Sequence, residues 1–533
     1  MTITGKQLIQ GEWQAGKGAS YQAVNPATGE ALEPTINHAD GSQVDAAVEG
    51  AAKAAPVYAA TSLKQRGEFL QACADEIMAL GDELLDRLKA ETGYPQARVE
   101  GERGRTCNQL KLFANTIQSG EFLDARIDKA MPDRQPMPRA DIRFYKQALG
   151  PVAVFGASNF PMAFSTAGGD TASALAAGCP VIVKGHNSHA GSAELVAQAV
   201  QKAADKCQMP KGTFSYVTGP GKDVGAALVK AEQVKAVGFT GSHSGGMALY
   251  KLASERKNPI PVFAEMGSIN PIVVLPEALK NSAPSIAEGF VGSLTLGVGQ
   301  FCVNPGLVLG IEGDELDTFI DSTAKALADV NAGVMLNQGI AETYQSGRQK
   351  LSGQPGVKSV ATGQPVKEGE KGFCGQAELF TVSASDFVEN PELQAENFGP
   401  SSLVIKCKNA EELNTVVSHL GGQLTGTLQA TESELKNYSE LLSLLQDKVG
   451  RMVVNNFPTG VEVCDAMMHG GPSPASTDSR FTSVGTKAID RFVRPICFQN
   501  YPHDLLPDAL KNENPWGISR WINGERTNKA VEN

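Results

Sequence analysis

From residue 150 onward the chain alternates short apolar runs with helical stretches, and this alternation limits the fold more than any other feature. The runs lie at 152–155, 181–184, 214–217, 236–240 and 262–264. Ala-rich or Gly-started stretches fill 167–178, 189–206, 221–232 and 244–255 between them. Strand followed by helix, repeated, is the pattern of parallel βαβ units, because parallel strands need a crossover connection. The pattern predicts an α/β fold with ligands at the carboxyl ends of the strands. A second alternating region runs from 271 to 456.

The flanks read differently. Residues 10–36 carry turn signals between short apolar runs, and residues 43–119 are Ala-, Leu-, Glu- and Lys-rich. Phe69, Leu70, Cys73, Ile77 and Leu80 fit one helical face there, and Gly93-Tyr94-Pro95 breaks the region. Residues 128–140 hold Pro132, Pro136 and Pro138 among charges, as a linker or an extended arm. The tail, 485–533, contains Trp516 and Trp521 and reads as irregular packing or an oligomer arm.

Charge removes whole classes of partner. Forty-seven Lys and Arg against 58 Asp and Glu leave a formal charge of −11. A net-acidic chain repels nucleic acid and anionic lipid at long range, and 6% aromatic residues are few for stacking on single strands. No run reaches the roughly 18 apolar residues that cross a bilayer, and residues 1–14 lack the apolar core of a signal peptide. The nine cysteines are odd in number and form no Cys-x-x-Cys pair. The expectation is free thiols in the cytoplasm, no metal, no nucleic acid and no membrane.

Four segments carry chemistry, and each has a plain reading beside it. Cys302 follows the glycine-rich turn Gly297-Val298-Gly299-Gln300-Phe301. A helix starting at 303–305 would lower its thiol pKa; a buried structural cysteine is the alternative. Glu265 ends an apolar strand, where burial would suit a general base and a salt bridge would explain it equally. Asn159, in Ser158-Asn159-Phe160-Pro161, can donate to an oxyanion or simply form a turn. Gly238-Phe239-Thr240-Gly241-Ser242, leading to Gly245-Gly246, ends a strand at a helix start and can meet a pyrophosphate. A second such turn is Gly219-Pro220-Gly221, running on to Gly225. Neither is a strict Gly-x-Gly-x-x-Gly, and each is otherwise an ordinary strand-to-helix turn.

In their order these segments resemble the aldehyde dehydrogenase superfamily, over nearly the whole chain from Asn25-Pro26-Ala27-Thr28-Gly29-Glu30 to residue 500. The matching series is Asn159-Phe160-Pro161, Lys184, Phe239-Thr240-Gly241-Ser242, Glu265, Gly299-Gln300-Phe301-Cys302 and Glu396-Asn397-Phe398-Gly399-Pro400. The resemblance implies two Rossmann-like parallel α/β domains plus a small oligomerisation arm. Residues 1–122 and 145–264 would bind a dinucleotide, 265–460 would be catalytic, and 123–144 with 461–533 would form the arm and tail. It implies Cys302 as nucleophile, Asn159 with the Cys302 amide as oxyanion hole, and Glu265 as the base that hydrolyses a thioester. Lys184, Gly241, Ser242 and Gly246 would hold the adenosine and pyrophosphate end of the cofactor, and Glu396 with Phe398 the nicotinamide ribose. The partner is a small aldehyde, and the assembly a homodimer or homotetramer.

Departures from the family pattern refine this. Ile269 replaces a frequent Lys, and Ala157-Ser158 replaces a frequent Pro-Trp. Asn187 stands where NAD-specific relatives often carry a Glu that binds the ribose 2′-hydroxyl. An amide there tolerates a 2′-phosphate, and Lys222 could pair with it, so NADP is favoured and NAD stays possible. Residues 155–161, 167–178, 292–302 and His469-Gly470-Gly471-Pro472 resemble the branch that oxidises α-ketoglutaric semialdehyde, which also holds NADP-dependent fatty aldehyde dehydrogenases. Phe160, Phe164, Phe301 and Phe457 could line an apolar tunnel. A dicarboxylate-type product would want a cation, which the sequence does not reveal. His469 could tune Cys302 or shuttle a proton, or be structural. A coenzyme-A-acylating relative would lack Glu265, and intact Cys302, Asn159 and Glu265 argue against a non-catalytic cofactor-binding protein.

Overall fold

The structure, a computed structural model, describes residues 2–369 and 371–531. Its first layer is a seven-stranded sheet in the order Val262–Glu265, Ala236–Thr240, Val152–Phe155, Val181–Gly185, Phe214–Thr218, Lys6–Ile9, Glu12–Ala15. The first five strands are parallel, as the alternation requires, and the two N-terminal strands close one edge antiparallel. Side chains alternate between two cores. Val152 and Val154 enter one, with Phe69, Leu70, Leu110 and Leu195 from helices on that face. Ala153 and Phe155 enter the other, with Val44, Val48, Leu228 and Leu249. Phe69, Leu70, Cys73, Ile77 and Leu80 all join the first core, so the helical stripe read at 43–119 is its packing face.

Strand order fixes the place for a ligand. From Val152–Phe155 the chain builds outward to 181 and 214, then returns to lay 236 and 262 on the opposite side. The reversal opens a crevice at the carboxyl ends of Val152–Phe155 and Ala236–Thr240.

The second layer has the strand order Lys358–Thr362, Glu378–Ser383, Ser401–Cys407, Leu307–Ile311, Ile272–Val274, Gln423–Gln429, Val449–Val454. All are parallel except the first. Val273, Leu309 and Ile405 face Leu413, Val416 and Leu445, while Val274, Val308 and Val404 face Phe290, Leu316 and Phe319. A third sheet, Val493–Gln499, Ile142–Ala148, Arg126–Asp128, Arg520–Ile522, Glu525–Thr527, stands apart. The stretch at 128–140 is the extended connection in this sheet, closed by a bridge between Met131 and Arg139.

Two segments lie away from their expected places. Residues 145–148, expected with the first sheet, instead pair with residues 493–496 in the third. Within 461–492, residues 475–477 lie along the outer edge of Val262–Glu265. There Met266 N donates to Ala475 O at 2.8 Å and Thr477 N to Ala264 O at 3.2 Å. An open strand edge needs partners for its backbone groups, and this segment supplies them. The tail also acquires structure: Trp521 pairs with Arg126, whose guanidinium sits 5.7 Å from the indole centroid. Among the described residues no helix is long and apolar enough to cross a membrane, and no disulfide bond joins two cysteines.

Candidate active site

Cys302 is presented by a strained turn. Gly297, Val298 and Gly299 take positive φ of 57°, 58° and 66°. A Cβ on Gly299 would strike the Gly399 carbonyl carbon, so only glycine fits there. Gln300, fully buried, locks the turn: its Nε2 donates to Gly297 O at 3.1 Å and its Oε1 accepts from Leu336 N at 3.0 Å. Asn270 holds the following residues, its Nδ2 donating to Cys302 O at 2.9 Å and Asn304 O at 3.0 Å. The helix expected at 303–305 is absent. Those residues run straight into the Leu307–Ile311 strand, so no helix start lowers the thiol. Burial, and then Glu265 and Glu396, push the thiol well above its ordinary value, with Arg105 opposing.

Glu265 and His469 complete the centre. His469 Nε2 lies 3.3 Å from Cys302 Sγ and 3.0 Å from Glu265 Oε1. Glu265 Oε2 accepts from Ser483 Oγ. Burial works to raise the Glu265 carboxyl, but His469, Ser483 and Cys302 outweigh it and hold the group below its ordinary value. Both His469 and Glu265 are buried. The ligand atoms of Glu265, Cys302 and His469 all fall within 4.8 Å of one another, a set that a soft divalent ion could also use. What favours acyl chemistry is that two cavities meet at Cys302.

The larger cavity, about 1260 Å³, lies at the crevice of the first sheet. Asn159, Lys184, Lys222, Gly241, Ser242, Glu265, Cys302, Glu396 and Phe398 line it. Lys184 is pushed down to about 8 by burial, and no carboxylate among the described residues pairs with it. Glu396 is pushed up to about 7 by burial, and its Oε1 accepts from Ser268 N at 3.4 Å. A Cβ on Gly267 would strike its carboxylate, so this glycine makes room for Glu396. Ser242 caps the His243–Ser254 helix, its Oγ accepting from Gly245 N at 3.2 Å.

Other expected residues sit differently. The Gly241 N–H is already spent on Glu265 O at 3.1 Å. Gly246 does not line the cleft: a Cβ there would meet Met266 and Phe239, so it serves close helix–strand packing. Asn187 is exposed, opening a short turn outside the cleft wall, and His186 lines the cleft in its stead. Asn159 donates through Nδ2 to Gln300 O at 3.0 Å, which keeps its amide beside the nucleophile's turn.

The smaller cavity, about 230 Å³, opens on the other side of Cys302. Phe160, Phe164 and Phe301 wall it, with Phe160 5.3 Å from Phe164 and 5.2 Å from Phe301, centroid to centroid. Phe457 is not there; it packs against Gly289 and the second-layer core. Arg98 and Arg105, from the Gln96–Thr116 helix, enter the cavity. The sequence reading missed them, along with Asn270 and Ser483. The one available signal was the spacing of Arg98, Glu102 and Arg105, which share a helical face.

The family described as the aldehyde dehydrogenase family matches residues 13–493. The chain is 52% identical over 526 residues to alpha-ketoglutaric semialdehyde dehydrogenase 2 of Azospirillum brasilense, covering 98% of this chain and 100% of that protein. It is 47% identical over 524 residues to alpha-ketoglutaric semialdehyde dehydrogenase of Acinetobacter baylyi, covering 98% and 99%. Among solved structures, betaine aldehyde dehydrogenase from Staphylococcus aureus, in complex with NAD+, superposes with a TM-score of 0.80 at 18% identity, covering 94% of this chain and 96% of that one. At that identity the likeness carries the fold alone.

Proposed function

We propose that this chain, which belongs to the aldehyde dehydrogenase family, oxidises α-ketoglutaric semialdehyde to 2-oxoglutarate with NADP as hydride acceptor, in the cytoplasm. The observation that carries the reading is Cys302, placed with Glu265 and His469 where the two cavities meet. The two relatives above bear the name of this activity over nearly their full length. We assign the dinucleotide to the first layer, the nucleophile to the second and the joining of copies to the third sheet.

The chemistry follows from the residues. At rest the thiol is protonated and Glu265 ionised, so the thiol proton has a ready acceptor in the Glu265–His469 pair. Freed of it, Cys302 Sγ attacks the aldehyde carbon to give a thiohemiacetal. The Asn159 amide and the Cys302 N–H face the oxygen that becomes negative. A nicotinamide held beside Glu396 and Phe398 would supply the hydride acceptor for the carbon attached to sulfur. Glu265 then deprotonates a water that attacks the resulting thioester, the C–S bond breaks, and the carboxylic acid leaves. His469 and Ser483 hold the carboxylate in the geometry both steps need.

The larger cavity suits a dinucleotide phosphate. Half-buried Lys184 without an ionic partner calls for a polar or anionic ligand. Exposed Lys222 lines the cavity and supplies a cation for a 2′-phosphate. The smaller cavity limits the aldehyde. A dry cavity of about 150 Å³ holds benzene, so about 230 Å³ fits a keto acid of five carbons. Glu265 disfavours release of the thioester to coenzyme A.

A kinetic matrix tests this: NADP and NAD against α-ketoglutaric semialdehyde, a short aldehyde and a C10–C14 aldehyde. NADP with the semialdehyde is expected to give the highest kcat/KM. Preference for the long aldehyde overturns the substrate assignment, and turnover of no aldehyde overturns the activity.

A further inference from the structure

The smaller cavity brings two arginines and one buried carboxylate to a single helix face. Arg98, Glu102 and Arg105 stand on one face of the Gln96–Thr116 helix. Arg98 pairs with buried Glu102 at 2.9 Å, and its guanidinium carbon lies 4.6 Å from the Phe160 ring and 4.5 Å from Phe301. One arginine and one carboxylate are thereby matched. Arg105 has no such contact: Glu102 and exposed Glu462 lie near enough to act on it, but no carboxylate among the described residues forms an ion pair with it. Its Nη1 donates to Val461 O, and its buried Nε has no hydrogen-bond acceptor. Its guanidinium carbon lies 5.9 Å from the Phe164 centroid. A half-buried cation left over beside apolar rings calls for an anion.

We propose that Arg105 is the carboxylate subsite, gripping the acid end of a short 2-oxo acid whose aldehyde end lies at Cys302. The inference rests on the substrate reading above and deepens it. Two methylenes of the substrate lie against Phe160, Phe164 and Phe301, and its single negative charge neutralises the surplus of the cavity. Gly101, one turn from Arg105 on the same face, leaves the passage open, since a Cβ there would meet nothing within 4 Å. Arginine suits the role because its planar fork matches a carboxylate in two parallel bonds. The subsite also explains how a cavity walled by aromatic rings could favour a charged substrate.

Kinetics of the full chain with NADP test it, using α-ketoglutaric semialdehyde and pentanal, which share five carbons and differ in the acid end. The wild type is expected to prefer the keto acid. In Arg105→Gln the preference ratio is expected to fall on the order of 100-fold, carried by KM rather than kcat, as for truncation of one partner of a buried charge pair. Arg105→Lys is expected to fall less, keeping the charge but losing the fork. A second measurement needs no variant: in the wild type, 2-oxoglutarate is expected to protect Arg105 from phenylglyoxal, read by peptide mass. A wild type with no preference overturns the substrate reading and the subsite together. A wild-type preference that survives in Arg105→Gln, a fall carried by kcat alone for both aldehydes, or absence of protection overturns the subsite alone.

Discussion

Burial alone would raise both acids at the centre of the site, yet the two are driven apart. Glu265 gains Ser483 and His469 as partners and is held below its ordinary value. Cys302 faces the carboxylates of Glu265 and Glu396 and is pushed well above its own. Two consequences can be measured. The thiolate fraction of Cys302 is expected to rise with pH throughout the alkaline range, while Glu265 contributes no acid limb near neutrality. In Glu265→Gln the repelling charge is gone, so the pH dependence of Cys302 alkylation by iodoacetamide, read on its peptide, is expected to move to lower pH. An unchanged or raised midpoint contradicts the electrostatic account. With the repelling charge gone the thiolate is more available and the acceptor is no longer required of Glu265, so the same variant still forms the thioester but lacks the base for hydrolysis. It is expected to release one rapid equivalent of NADPH per site, followed by turnover slowed about 10²–10⁴-fold, visible by stopped-flow absorbance; slowing of the first turnover alone contradicts the assigned role.

The segment that carries His469 and Ser483 has little regular structure, so something else must hold it. Its far end is the short helical turn Thr486–Phe492, and there Arg491 Nη1 meets Asp170 Oδ1 at 2.7 Å in the core. Arg491 Nη2 also reaches Ser173 Oγ at 3.2 Å, so the turn is pinned to the Gly169–Ala177 helix. Both charges are nearly inaccessible, at 3% and 8%. Removing one partner of such a pair leaves an uncompensated buried charge, destabilising by about 3–5 kcal/mol. Arg491→Met is therefore expected to lower the thermal midpoint and, by loosening the segment, to reduce kcat more than cofactor affinity. Arg491→Met/Asp170→Leu removes both charges and is expected to recover much of the midpoint. Equal midpoints for the single and double variants would contradict the pin. This element also marks where the sequence stopped being legible. Strands of the first layer were readable because each is a short apolar run between turns, and Cys302, Glu265 and Asn159 because each stands beside such a run or turn. The path of 461–492 was not, because it follows the backbone needs of a strand edge some 200 residues earlier, and edge pairing leaves no mark in composition. Arg105 was hidden for a similar reason: a helix face rich in charge reads as solvated until the aromatic wall opposite is in place.

Across the whole molecule the third sheet is the part least explained by one chain alone. It joins residues near 126 and 142 to the last two strands, and so gathers distant segments without enclosing a core of its own. Large apolar side chains stay exposed on it and on its flanks: Leu505 and Met137 at 67%, Tyr501 at 44% and Trp521 at 37%. Tyr501 stacks edge-on against Phe498 at 5.0 Å, and Phe498 lies 6.3 Å from Tyr145, so the aromatic cluster runs from the sheet to the surface. Isolated exposed apolar residues need no explanation, but a clustered set beside an open strand edge does. Val493–Gln499 is that edge, paired on one side only among the described residues. Burial of this sheet against a second copy would satisfy both the edge and the rings. Light scattering is expected to give a multiple of the 56.1 kDa chain mass. Tyr501→Lys combined with Leu505→Asp is expected to shift the assembly toward the monomer, since charges placed inside an apolar interface must be desolvated without partners. A monomeric wild type, or a double variant with unchanged mass, would remove the third sheet from the assembly and leave its exposed rings without a purpose in the fold.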